Sequence, residues 1–412
     1  MYIRKFNVRN YMIHKDTNLS LTPITVLVGP NGGGKSALFD AMLNFSMVSR
    51  GSITQAFGPF PFSYKSTLWN GAKGVDGRMH YDVELSSAED SQGYLKYEIA
   101  YAQNGVEFSR PAYTIFTERL TKMQSNEILF DRSRPSDYPA FNNILKEYDK
   151  SIFAALRQEQ IAGNEIVGVE ETVLEFSTQI SRFNRFKLDS SVLAQPSRLP
   201  DFSDQETNSP PPRIGYRGED LAGTLYYLSQ TQSPTLEKIK EKIRAIDENF
   251  DDFEFNVLGT DRIGFSATYS DSRQIVPSVR LSSGTLNYIG LIVLVTSITR
   301  SPLLMIEEPE NGLTPQAVKS FYQTVRELAE NDDLDKRSQV LISSHSPFVI
   351  CEAWNGEDRD FIHRVKVDNG ASLIRKFSNV VEEQKIVLGK KNGERVHLSL
   401  ANAEEIMSGY LS

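Results

Sequence analysis

Apolar and polar residues alternate through the opening of the chain. "IRKFNVRN" (3–10) and "TNLSLT" (17–22) carry the two-residue period of half-buried strands, and "ITVLVGP" (24–30) is a continuous apolar run closed by Gly-Pro, as in a strand buried on both faces. A helical period follows from Lys35 to about Ser49. "GSITQAFGPFPFSYKSTLWNG" (51–71), dense in Gly, Pro and aromatic residues, reads as an ordered loop. Alternation returns at "RMHYDVEL" (78–85), "GYLKYEIAYA" (93–102) and "AYTIFTERL" (112–120), which predicts an antiparallel meander.

From about Tyr138 to Phe186 the apolar residues step by three and four, as in "FNNILKEYDKSIFAALRQEQ" (141–160). "QPSRLPDFSDQETNSPPPR" (195–213) has the composition of an exposed, mobile loop. Helices are predicted from Glu219 to about Gln230 and from Thr235 to about Ile246, then strands at 252–259 and 262–270. Beyond them strand and helix alternate: "PLLMIEE" (302–308), a helix from Pro315 to about Glu330, "SQVLISS" (338–344), and further strand candidates. The pattern divides the chain into an N-terminal lobe over 1–135, a helical insertion over 136–250 with its mobile loop near 195–213, and a C-terminal lobe over 251–412.

Composition changes this picture little. Apolar residues at 40% and charged residues at 24% are those of a globular protein, and no apolar run is long enough to span a bilayer. The N-terminus has no apolar core of the secretory kind, so the expected location is the cytoplasm and no membrane partner is expected. Cys351, alone, permits no internal disulfide and argues against a zinc cluster. The net charge of −8 opposes nucleic-acid binding over the whole surface and leaves two local basic stretches, "SRFNRFK" (181–187) and "GKKNGERVH" (389–397), both read as solvated faces.

Three stretches carry chemistry. "GPNGGGKS" (29–36) follows a buried strand and opens a helix, where glycines let successive N–H groups turn toward phosphate oxygens. Asn31, Gly32, Gly33 and Gly34 form the cradle, Lys35 reaches the β- and γ-phosphates, and the Ser36 hydroxyl is a ligand for Mg²⁺. "LLMIEEPENGL" (303–313) ends a strand in two acids that alternation sends to different faces. Glu307 is expected in the Mg²⁺ shell and Glu308 as the base that orients and deprotonates the attacking water. "VLISSHSPF" (340–348) places His345 at another strand end, within reach of a γ-phosphate. A fourth stretch, "LSSGTLNYIG" (281–290), starts a helix with Ser282, Ser283 and Gly284, which suit either an ordinary cap or an N-terminus open to an anion.

In order and character these four stretches resemble the Walker A, signature, Walker B and switch-histidine motifs of the ABC-type ATPases. The likeness is to the soluble branch that holds the RecF, structural-maintenance-of-chromosomes (SMC) and overcoming-lysogenization-defect (OLD) ATPases. It implies an α/β fold, a P-loop NTPase head of the ABC type with an antiparallel meander and a helical insertion, binding ATP and Mg²⁺. It also implies a homodimer or higher oligomer in which Ser282, Ser283 and Gly284 of one copy cap the nucleotide of the other. Gln55 is the residue chosen for the Q-loop role.

The sequence departs from the pattern at Ser283, where a glycine or an acid is usual, at Glu307, which replaces an aspartate, and at Thr314, where relatives carry histidine; slow turnover is the expected consequence. "EDRDF" (357–361) is read as a solvated loop rather than part of a TOPRIM nuclease. The role implied is the ATPase and sensor subunit of a bacterial antiphage system acting on a separate effector such as a nuclease. The alternatives are a DNA-repair ATPase like RecF and SMC that binds duplex DNA, and an ATP-locked scaffold with negligible turnover.

Overall fold

Each alternating stretch finds a partner strand in the computed structural model, which describes all residues except 58–62, 73–76, 87–93, 108–109, 146, 148, 203–211, 272, 298–300, 332, 334–336, 356–361, 384–397 and 409–412. β1 (Tyr2–Tyr11) and β2 (His14–Ser20) form a hairpin, and β3 (Ile24–Val28) departs for a second sheet. β4 (Met79–Ser86), β5 (Leu95–Glu107), β6 (Arg110–Lys122) and β7 (Glu127–Asp131) complete an antiparallel sheet of order β2-β1-β4-β5-β6-β7. This is the expected meander.

Next come β8 (Asn184–Phe186), β9 (Ser197–Arg198), β10 (Phe250–Leu258), β11 (Arg262–Tyr269) and β12 (Gln274–Pro277), the last four sharing a small antiparallel sheet. β13 (Leu303–Glu307), β14 (Gln339–Ser344), β15 (Ile362–Asp368) and β16 (Ala371–Lys376) complete the central sheet, ordered β16-β15-β3-β14-β13-β8 and parallel except at β16.

The central sheet is buried on both faces, so its strands are apolar throughout and successive residues serve different cores. Val26, Val28, Leu304, Ile306, Val340 and Ile342 pack on one side with helices Leu221–Gln230, Pro234–Arg244, Ser283–Ser297 and Pro315–Ala329. Leu27, Leu303, Met305 and Leu341 pack on the other, where Leu38, Phe39, Met42 and Phe45 of helix Lys35–Val48 fill the space up to Phe6, Tyr81 and Tyr97 of the meander. The buried Gln339 links the sheets: its amide accepts from Ile3 N at 3.0 Å and donates to Ile3 O at 2.8 Å.

The 136–250 stretch is more than helical. Helices Ile152–Ile161 and Glu171–Ile180 lie against the meander, where the fully buried Glu118 accepts from Ile152 N, Tyr97 Oη and Arg132. But β8 belongs to the central sheet and β9 to the small one, so this segment threads through the layers that carry the site. Residues 203–211 of the expected mobile loop, together with "EDRDF" and "GKKNGERVH", lie outside the described residues.

Two buried histidines make the fold acid-sensitive. Burial lowers His14 and His363 from the ordinary value near 6.5 to about 4, against smaller opposing effects of their backbone hydrogen bonds to Gly34 and Ser20. Below about pH 6.5 the unfolded chain takes up protons that the native state refuses until about pH 4. Native stability therefore falls across that window, by about 3 kcal/mol per histidine at its acid end. Urea unfolding followed from pH 7 to pH 4 should show the loss, and His14→Gln should remove about half of it.

Candidate functional site

The phosphate loop is shaped by backbone that only glycine tolerates well and by two side chains outside it. Gly32 and Gly34 have φ of +77° and +106°, and a Cβ at Gly29 would lie 2.1 Å from the carbonyl oxygen of Val365 on β15. Ser372 Oγ of β16 donates to Gly33 O at 2.8 Å, and His14 Nε2 of β2 donates to Gly34 O at 3.0 Å while its Nδ1 accepts from Thr17 Oγ1 at 2.9 Å. In a trans peptide the N–H points opposite to the C=O. Fixing the carbonyls of Gly33 and Gly34 therefore fixes the direction of the N–H groups of Gly34 and Lys35.

The Lys35 ammonium is buried and donates to Gly29 O at 2.6 Å and Pro30 O at 2.9 Å. Burial lowers its pKa, while Glu308, Glu310 and Glu307 oppose the shift. Ser36 Oγ donates to Glu307 Oε2 at 2.6 Å, joining the end of the phosphate loop to the end of β13 across the intervening β14. These hard oxygen donors, one of them a fully buried carboxylate, suit Mg²⁺.

Glu308 breaks the alternation expected of a strand end. Its φ is +47°, a costly conformation for a residue with a Cβ, and its N–H donates to Ser343 O at 2.8 Å. The chain thus turns off the sheet immediately after Glu307. The two carboxylates keep separate partners: Glu308 Oε2 accepts from Asn311 Nδ2 at 3.2 Å, and Glu308 Oε1 lies 3.7 Å from His345 Nδ1. A third acid completes the group. Glu310 Oε1 accepts from Ser344 Oγ at 2.6 Å and His345 N at 3.1 Å, lies 3.7 Å from His345 Nδ1, and its buried Oε2 has no partner among the described residues.

Ser282 and Ser283 are exposed, while Gly284 is half-buried. Ser282 Oγ accepts from Thr285 N at 3.0 Å, so it does cap its helix. Gly284 is required by packing, since a Cβ there would meet Gly312 O at 2.3 Å; nearby, Asn287 Nδ2 donates to Asn311 O at 3.0 Å. The helix Ser283–Ser297 is therefore fastened to the loop that follows the carboxylates in the same chain. Thr314 caps the next helix through Ala317 N at 3.3 Å. The Gln55 side-chain oxygen accepts from Ser52 N at 3.2 Å, at the start of its own short helix.

Arg185 is the main residue that sequence reasoning missed. It lies in "SRFNRFK", read as a solvated basic face, yet it sits on β8 beside Met305 of β13 with a side chain only 10% exposed. Arg185 Nε and Nη2 each lie 2.6 Å from Glu307 Oε1, and Nη1 pairs with Asp40. Lys187 Nζ is 4.0 Å from Glu307 Oε2 and half exposed. A usable signal was the two-residue spacing of Arg185 and Lys187, but it did not specify a partner 122 residues away.

Fold and site together have the architecture of a P-loop ATPase head. A family model described as "AAA domain, putative AbiEii toxin, Type IV TA system" matches residues 24–351, and the chain belongs to that family. The OLD nuclease of Thermus scotoductus is 22% identical over 380 residues, covering 84% of this chain. The chain spans 59% of that relative's length. Among solved structures, an SMC head bound to the C-terminal winged-helix domain of ScpA is similar over 93% of this chain and all of that chain, with a TM-score of 0.50 at 12% identity. The SMC head domain from Thermotoga maritima covers 91% of this chain with 99% of its own, at a TM-score of 0.43 and 15% identity. Among the described residues no helix is long and apolar enough to cross a membrane.

Proposed function

We propose that this chain binds and hydrolyses ATP between two copies of itself and that the nucleotide-closed dimer regulates a separate effector. The observation that carries the reading is the 2.6 Å contact between Ser36 Oγ and Glu307 Oε2, with Glu308, Glu310 and His345 clustered at the neighbouring strand ends. Asn31 to Ser36 would cradle the phosphates. Mg²⁺, held by Ser36 and Glu307, would supply neutralising charge there. Glu308 would orient the attacking water and accept its proton, Glu310 would aim the backbone of His345, and the His345 ring would hydrogen-bond the γ-phosphate.

Ser282, Ser283 and Gly284 would cap the nucleotide of the partner copy. In support, the two serines are exposed and their helix is rigidly docked on the loop after Glu308. ATP bound only by the closed form shifts the equilibrium toward the dimer.

The finer part of the reading is a defence role with a nuclease as the separate effector. It is supported by the toxin named in the family description and the nuclease activity named for the Thermus scotoductus relative. Its test is a native-cell pull-down with the ATP-trapped dimer, followed by a nuclease assay of the recovered complex with and without ATP. Recovery of the dimer alone, or a partner whose activity ignores ATP, counts against regulation.

The phosphate-loop braces give a further prediction. Loss of the His14 donor should weaken ATP binding by about tenfold, the cost of one buried hydrogen bond and a disordered N–H. Fluorescent-nucleotide titration of His14→Ala and Ser372→Ala checks it, with both deficits expected in the absence of metal.

A further inference from the structure

Glu307 poses a geometric problem that an aspartate would not. Its longer side chain has an additional torsion to fix before the carboxylate can serve as a ligand. The surroundings fix it from both sides: Ser36 Oγ engages Oε2, while Arg185 directs Nε and Nη2 to Oε1. Asp40, one helical turn beyond Ser36, holds the remaining end of the same guanidinium, and Arg185 Cζ lies 5.7 Å from the Tyr216 ring centroid. The arginine is therefore immobilised between the helix after the phosphate loop and the edge of the central sheet.

We propose that Arg185 is a positioning residue that holds Glu307 Oε1 so that Oε2 remains at the metal position beside Ser36, and that it thereby makes a glutamate serviceable there. The proposal rests on the reading of Ser36 and Glu307 as Mg²⁺ ligands. A cation competing with the metal would occupy the oxygen that faces Ser36, whereas Arg185 engages the other one. Lys187 cannot substitute, because it is half exposed and 4.0 Å away and offers a point charge instead of a planar fork.

The test uses Mn²⁺ as the probe, titrated by electron paramagnetic resonance into the full chain saturated with a non-hydrolysable ATP analogue. Outer-shell partners of metal ligands are worth roughly 10- to 100-fold in affinity. Arg185→Gln should weaken Mn²⁺ binding by at least about tenfold on that scale, Arg185→Lys should fall between it and the parent, and Asp40→Asn should shift binding in the same direction by less. Nucleotide affinity in EDTA should be unchanged in all three, which separates loss of positioning from general damage.

In a Glu307→Asp background Arg185→Gln should cost much less Mn²⁺ affinity than in the parent, because the shorter aspartate has no additional torsion for Arg185 to fix. Mn²⁺ binding that is unchanged or tighter in Arg185→Gln overturns the proposal, as does full additivity with Glu307→Asp. If Arg185→Gln does not fold, the Arg185→Lys and Asp40→Asn pair decides by the same criteria. Parent-like Mn²⁺ binding by Glu307→Gln would instead remove Glu307 from the metal shell and the proposal with it.

Discussion

Glu308→Gln is expected to abolish steady-state phosphate release while leaving ATP binding intact, and to convert a transient dimer into one stable enough to isolate. The glutamine keeps the shape of the side chain and an oxygen to accept from Asn311 Nδ2, so the turn after Glu307 should survive. What it loses is the ability to take a proton. Removing a positioned general base costs roughly 10²- to 10⁴-fold, and this chain should fall at the severe end if Glu308 is the sole base. Glu310 is the group that could defeat the expectation, since it also lies 3.7 Å from His345 and has a buried oxygen without a partner among the described residues. Comparing Glu308→Gln with Glu310→Gln by phosphate release and light scattering resolves the two. Hydrolysis within tenfold of the parent in Glu308→Gln would transfer the base role to Glu310. A Glu308→Gln chain that binds ATP yet remains monomeric would discredit the sandwich.

The parts of this site that could be read from sequence are those written in contiguous residues. The strand before the phosphate loop, the loop itself and the acids after β13 are each local patterns, and the structure carries all three where the patterns put them. What could not be read depends on strand order. Arg185 acquires meaning only because β8, three residues long, takes the edge position beside β13, which brings residue 185 level with Met305. His14 lies between the alternating stretches read at 3–10 and 17–22 and carried no reading of its own, yet it is completely buried against Gly34. Ser372 braces the same loop from the last strand of the sheet, and nothing in its own neighbourhood of sequence marks it. Glu310 was in plain view inside "EEPENGL" but had no role until Ser344 and His345 were beside it. The Glu308 conformation was hidden for a different reason: alternation holds only while the strand continues, and here it stops one residue earlier than the run of acids.

The second large effect concerns the surface that the proposed partner copy would cover. Ser282→Arg should spare ATP binding by the monomer and abolish both dimerisation and hydrolysis, because its long side chain would fill the space at an exposed helix N-terminus where the proposed partner's nucleotide must approach. Gly284 is the wrong residue to test, since any side chain there collides with Gly312 of the same chain. Ser282 also caps its own helix through Thr285 N, and losing a cap costs about 1 kcal/mol. Ser282→Asn, which can retain the cap, therefore serves as the control for stability. The decisive experiment mixes Ser282→Arg with Lys35→Ala. Each chain alone should be inactive, the first for want of a signature and the second for want of a phosphate loop. A mixed pair still contains one complete site, formed by the phosphate loop of the Ser282→Arg chain and the signature of the Lys35→Ala chain. Phosphate release from the mixture should therefore exceed the sum of the separate chains, up to a ceiling of one working site per mixed dimer. A cis arrangement, in which each chain caps its own nucleotide, gives no recovery in the mixture because neither chain holds both halves.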